Sequence, residues 1–112
     1  MYDKVIKALE PLGIDLEFQE YQGSEDEYII FDIHLEKEDN YAEDTAQQTT
    51  SYITINYSHK SKLGINKYRD IKEAMKKHGF FFDYSKTLPR DGDYYVKNFD
   101  FIYKEDMEEI YE

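Results

Sequence analysis

Between residues 28 and 36 the chain alternates, with Ile29, Phe31, Ile33 and Leu35 on one parity and Tyr28, Asp32, His34 and Glu36 on the other. A period of two marks a strand with one face buried and one face wet. A sheet built on such a strand needs a covering layer on its apolar side. Two further stretches share the pattern. Ile14, Leu16 and Phe18 alternate with Asp15, Glu17 and Gln19, and Ile53, Ile55 and Tyr57 alternate with Tyr52, Thr54 and Asn56. The β-branched Thr and Ile of residues 49–58 suit a pleated surface.

The covering layer is legible as a change of period. Tyr2, Val5, Ile6, Leu9 and Leu12 recur at helical spacing before Gly13, and Ile65, Tyr68, Ile71 and Met75 do so before Gly79. Lys76, Lys77 and His78 close the second stretch, where positive charge complements the helix C-terminus. Residues 80–84 then read as a short strand, 88–93 as a turn, and Tyr94 to Tyr103 as a long final strand with Tyr95, Phe99, Phe101 and Tyr103 on one face. Gly23 to Asp26 reads as another turn. Residues 37–48 carry acids and no apolar period, as in a long loop or the tip of an extended hairpin. The expectation is an α+β domain over residues 1–103, ordered α-β-β-β-α-β-β. Its sheet of about five strands is antiparallel or mixed, two helices cover one face, and an acidic tail spans 104–112. A chain of 112 residues fits one such domain.

Composition narrows the function classes. The 12 tyrosines and 7 phenylalanines are too many for a disordered acidic segment. With no cysteine there is no disulfide framework and no thiolate metal site. The first residues, Met1 to Val5, lack the basic and apolar regions of a secretory signal, and no apolar run reaches the ~20 residues of a membrane span. The expected location is a cytoplasm, or an assembly released from one. With 25 acids against 14 cations, the formal charge is −11. Nucleic-acid and anionic-membrane binding both draw on Lys and Arg, so neither is expected of this chain by itself.

Catalytic signatures are absent from the sequence. Its five glycines form no phosphate-cradling loop, and no Gly-x-Ser-x-Gly elbow occurs. His34, His59 and His78 stand far apart and read as surface or capping residues. Asp91 with Asp93, and Asp39 with Glu43 and Asp44, could hold a hard cation, but they miss the calcium-loop spacing and are explained as turn and solvated acids. No catalytic residue, metal or cofactor is expected.

The surplus of tyrosine is more informative. Tyr28, Tyr41, Tyr52, Tyr94 and Tyr111 fall outside the inward-facing pattern, and Val96 and Ile102 share the parity of Tyr94. Tyrosine is enriched in protein interfaces, although it also covers the second face of a sheet. With the acids Asp39, Glu43 and Asp44 and the tail residues Met107, Ile110 and Tyr111, these form the expected contact surface for a partner or a second copy.

The order of these features resembles the tail-terminator, or tail-completion, proteins of long-tailed bacteriophages and prophages. The resemblance is carried by an opening helix, by Tyr21-x-Gly23 leading to Tyr28-Ile29-Ile30-Phe31, and by Ala42-Glu43-Asp44. It continues through Ile53-Thr54-Ile55-Asn56-Tyr57-Ser58, Gly79-Phe80, and Asp91 to Lys97 before a last aromatic strand. Val96 stands where relatives tend to carry histidine, and Pro89-Arg90-Asp91-Gly92 replaces a glutamate-rich turn. The resemblance implies a structural virion protein at the head-tail joint, with six copies closing into a ring. Its partners would be the tail tube protein, the head connector protein and itself, and DNA would pass through the lumen without specific binding. The alternative from the residues alone is an acidic inhibitor that mimics DNA toward a host DNA-binding protein.

Overall fold

A computed structural model describes residues 1–39 and 48–106. The element order is α1 (Tyr2–Leu9), a 3-10 turn (Glu10–Leu12), β1 (Asp15–Phe18), β2 (Glu27–Asp39) and β3 (Gln48–His59). A second 3-10 turn (Lys62–Lys67), α2 (Tyr68–Lys77), β4 (Phe81–Asp91) and β5 (Tyr94–Asp106) follow. Gly13 ends the first helical segment at φ 74°, a left-handed conformation that glycine adopts without a Cβ clash. The fold is α+β, and its five strands lie in the order β1-β2-β3-β5-β4.

The sheet is mixed. β1 pairs with β2 in parallel, Leu16 beside Ile29 and Phe18 beside Phe31, whereas every other neighbouring pair is antiparallel. The turn at residues 23–26, read as joining antiparallel neighbours, belongs instead to a return crossover. Such a crossover usually needs a dozen or more residues. Residues 19–26 suffice because β1 is only four residues long, so the chain retraces little distance. Gln19 turns the chain at φ 68° after its N–H bonds Phe31 O at 2.9 Å.

Both helices pack on one face. Val5, Ala8 and Leu9 of α1 and Ile71 and Met75 of α2 meet Ile29, Phe31, Ile53, Ile55, Tyr57, Phe99 and Phe101 of the sheet, all buried. Each large side chain so buried contributes roughly 1.5–3 kcal/mol. Tyr2 and Phe18 stay half exposed but stack edge to face at 5.4 Å and close over Phe31.

Four local readings are corrected. Leu35 was expected in the core and is 49% exposed, because His34 is an extra residue between the pairs Ile33–Ile53 and Leu35–Tyr52. That bulge shifts the alternation and turns Leu35 to the helix-free face. Ile65 was expected on the helical stripe and is 58% exposed, since α2 begins only at Tyr68 and the preceding turn is 3-10. The 80–84 strand runs on to Asp91, so the expected turn at 88–93 contracts to a hairpin around Gly92 at φ 59°. Finally, residues 37–39 and 48 belong to β2 and β3, and residues 104–106 to β5. Residues 40–47 of the expected loop or hairpin tip lie outside the described residues, as do 107–112 of the expected tail.

Candidate interaction surface

The helix-free face of the sheet carries one apolar row across four strands. Leu35 of β2 pairs with Tyr52 of β3, Tyr52 with Ile102 of β5, and Ile102 with Phe81 of the edge strand β4. Cross-strand partners on one face sit about 5 Å apart, so the four side chains are contiguous. Leu35 is 49% and Phe81 62% exposed, and Tyr52 and Ile102 are half-buried. No helix of the described fold packs over them, and the Lys37 ammonium lies 5.8 Å over the Tyr52 ring. Two bulges create the row. His34 sends Leu35 to this face, and the register shift between Phe82 and Tyr84 places Phe81 opposite Ile102 while Phe82 packs inward on Phe101.

Of the residues expected at a contact surface, Tyr52 and Ile102 lie at the centre of this row. Tyr28 and Val96 are each only 8% exposed, which corrects their place on a free surface. The crossover loop is the reason: Tyr21 stacks on Tyr28 at 3.9 Å with its ring 5° from parallel, and Tyr94 meets Tyr28 edge-on at 5.1 Å. The clasp is held by hydrogen bonds. Tyr21 Oη donates to Asp15 Oδ2 at 2.8 Å and accepts from Glu25 N at 2.9 Å, while Tyr94 Oη donates to Glu25 O at 2.8 Å. Tyr94 is therefore half-buried and engaged within the chain. Asp39 ends β2 opposite Gln48. Tyr41, Glu43, Asp44, Met107, Ile110 and Tyr111 lie outside the described residues. Leu35 and Phe81 were missed because a strict period of two cannot register an inserted residue.

A polar cluster closes the opposite end of the sheet, under the 3-10 turn. His59 is 2% exposed, which corrects its reading as a surface or capping residue. Its Nδ1 lies 2.7 Å from Ser61 O and its Nε2 2.7 Å from Tyr68 Oη. A carbonyl only accepts, so Nδ1 carries the proton and Nε2 accepts from Tyr68. Its ring stacks between Tyr57 and Tyr95. Gly64 lies against this ring so closely that a Cβ would run into it.

Beside it, Lys67 Nζ donates to both carboxylate oxygens of Glu27 at 2.7 and 2.6 Å, and Tyr57 Oη donates to Oε1 at 2.8 Å. Burial alone would raise the Glu27 pKa. The hydrogen bonds from Lys67 and Tyr57, reinforced by the Lys67 charge, outweigh it and hold the carboxyl below its ordinary 4.5. Burial, then the Glu27 carboxylate, push the Tyr57 hydroxyl far above the tyrosine range. A depressed carboxyl contributes stability that is fully present above its unfolded pKa and lost as pH falls through the lower folded value. Glu27→Gln should therefore cost about 1 kcal/mol near neutral pH, discounted for a side chain 36% exposed. It should also flatten the acid limb of stability below pH 4.5. Urea unfolding of both proteins between pH 2.5 and 7 checks this, and parallel curves would contradict it.

Within the cluster, Lys67 and Tyr57 both bond Glu27, while His59 is held by Ser61 O and Tyr68. Among the described residues no three of His, Cys, Asp and Glu converge to hold a metal ion, and no helix is long and apolar enough to cross a membrane. Asp91 and Asp93 flank the β4–β5 hairpin turn, where Arg90 Nη2 donates to Asp93 O at 3.2 Å. No known protein family matches the chain, and no curated protein does either.

Proposed function

We propose that this protein is a structural component of a phage virion, a tail terminator that assembles on the tail tube and joins it to the head. The observation that supports this reading is the Leu35–Tyr52–Ile102–Phe81 row, a contiguous apolar strip on a sheet face over which no helix of the described chain packs. Exposed apolar patches of this kind are burdens to a lone monomer and mark contact surfaces. The row ends on β4, an edge strand of 11 residues whose outer N–H and C=O groups are unpaired within the sheet.

In this reading the function is contact without bond-making. Copies repeat one heterologous interface until rotation closes a ring, in agreement with the resemblance to ring-forming terminators. The formal charge of −11 keeps passing DNA from sticking to the ring, since phosphate binding needs a surplus of cations. The experiment is to mix the purified protein with tail tubes that lack a terminator and view them by negative-stain electron microscopy. Tubes capped by a ring and halted at uniform length are the expected result. Bare tubes that continue to grow would remove the role.

A further inference from the structure

Charge is unevenly distributed along the sequence. Seven of its 14 cations but only two of its 25 acids fall between residues 60 and 77, whereas residues 105–112 hold five acids and no cation. Of these cations Lys60, Lys62 and Lys67 lie at the His59 end of the sheet, Lys60 3.7 Å from Asp26 and Lys67 on Glu27, whereas α2 carries Lys72 back to Phe82 and ends beside Tyr103. The basic stretch begins after His59, which pairs with Tyr95, and the acidic segment follows Asp106, which pairs with Gln48.

At the His59 end two large apolar side chains stand in solvent, Leu63 at 73% and Ile65 at 58%. Ile65 borders a cavity of about 200 Å³ between the 3-10 turn and the β4–β5 hairpin, lined also by Lys62, Tyr68, Tyr95 and Val96. Further cations edge it. The Arg90 guanidinium lies 4.3 Å over the Tyr95 ring and Lys97 Nζ 5.5 Å from the Tyr68 ring. Asp91 and Asp93 belong to the hairpin turn that follows Arg90. An apolar, aromatic-walled cavity with a cationic rim suits a peptide that offers an apolar anchor between acids. The sequence Met107-Glu108-Glu109-Ile110-Tyr111-Glu112 has that composition.

We infer that the cavity beside Ile65 receives the acidic C-terminal segment, residues 107–112, of a second copy of this chain. Docking within one copy fails on length. From Asp106 back to the level of Tyr95 the strand covers about 35 Å, while six residues extend at most about 20 Å. The contact is therefore head-to-tail between copies, a heterologous interface of the kind that closes rings or builds filaments. It rests on the reading of the protein as self-assembling, and it names which ends meet.

The test is binding of a fluorescein-labelled peptide of residues 104–112 to the full-length protein, followed by anisotropy and by amide shifts in NMR. Expected are saturable binding, weaker at 0.5 M salt, with shifts concentrated in residues 60–68 and 87–96. Ile65→Glu in the protein, or Ile110→Ala with Tyr111→Ala in the peptide, should each weaken binding at least tenfold. Ile65 and Lys62 are both exposed, so Lys62→Glu serves as a second variant should Ile65→Glu melt early. No binding at millimolar peptide, shifts elsewhere, or equal binding to Ile65→Glu and Lys62→Glu would overturn the inference. Tube capping is scored separately. Peptide binding by a protein that leaves tubes bare would retain the docking and remove the tail reading, and capped tubes without peptide binding would do the reverse.

Discussion

Phe101→Ala should destabilise the protein by about 3–5 kcal/mol, whereas Ile102→Ala, one residue on, should cost about 0.5–1.5 kcal/mol. The contrast follows from the two faces of β5. Phe101 is 1% exposed, meets the Phe82 ring at 5.7 Å, and lies in the layer that α1 and α2 cover. Removing its ring opens a cavity that neighbouring side chains refill only in part. Ile102 is half-buried on the helix-free face, and truncating it leaves a site that water reaches. Small domains have about 5–15 kcal/mol of stability in total, so the first variant approaches the unfolding threshold and the second does not. Denaturant melts of both variants check the difference. Equal losses would mean that the outer face is covered in the free protein.

The second large effect concerns assembly. Leu35→Glu combined with Phe81→Glu places two charges at the ends of the apolar row, where each native side chain is about half exposed or more. In the free protein both carboxylates remain solvated, so the melting midpoint should move little. In an assembled ring or on a tube the same charges would be buried without partners, which costs several kcal/mol each. The double variant should therefore fold normally and lose at least a hundredfold in assembly. Its affinity for tubes, measured by co-sedimentation beside a melt, separates the two terms. A double variant that still caps tubes as well as the native chain would take the row out of the interface.

Much of the fold was legible because its strands and helices bury one face each. Ile53, Ile55 and Tyr57 announce a half-buried strand, and each is fully buried. The stripe of Ile71 and Met75 is the buried side of α2. The failures share a physical cause. Bulges at His34 and Asp83 insert a residue and reverse parity, and periodicity carries no memory across such an insertion. The β1–β2 pairing depends on where the 19–26 segment travels, and a turn-like composition does not encode direction. Tyr28 looked free because its cover, Tyr21, comes from that same segment. His59 looked like a surface residue because its partners, Ser61 O and Tyr68, converge only through the 3-10 turn. The exposed apolar row was thus half legible. Tyr52 and Ile102 follow from strand parity, while Leu35 and Phe81 become visible only once the register is known.

The most direct measurement of the central claim is photo-crosslinking from position 52. A benzophenone side chain there sits at the middle of the apolar row, and one at Glu73, exposed on α2, samples the helix face as a control. During assembly on tail tubes, position 52 should crosslink to a neighbouring copy or to the tube protein, and position 73 should crosslink far less. Crosslinks from position 73 with none from position 52 would contradict the account, because the helix-free face would then be open surface in the assembled state.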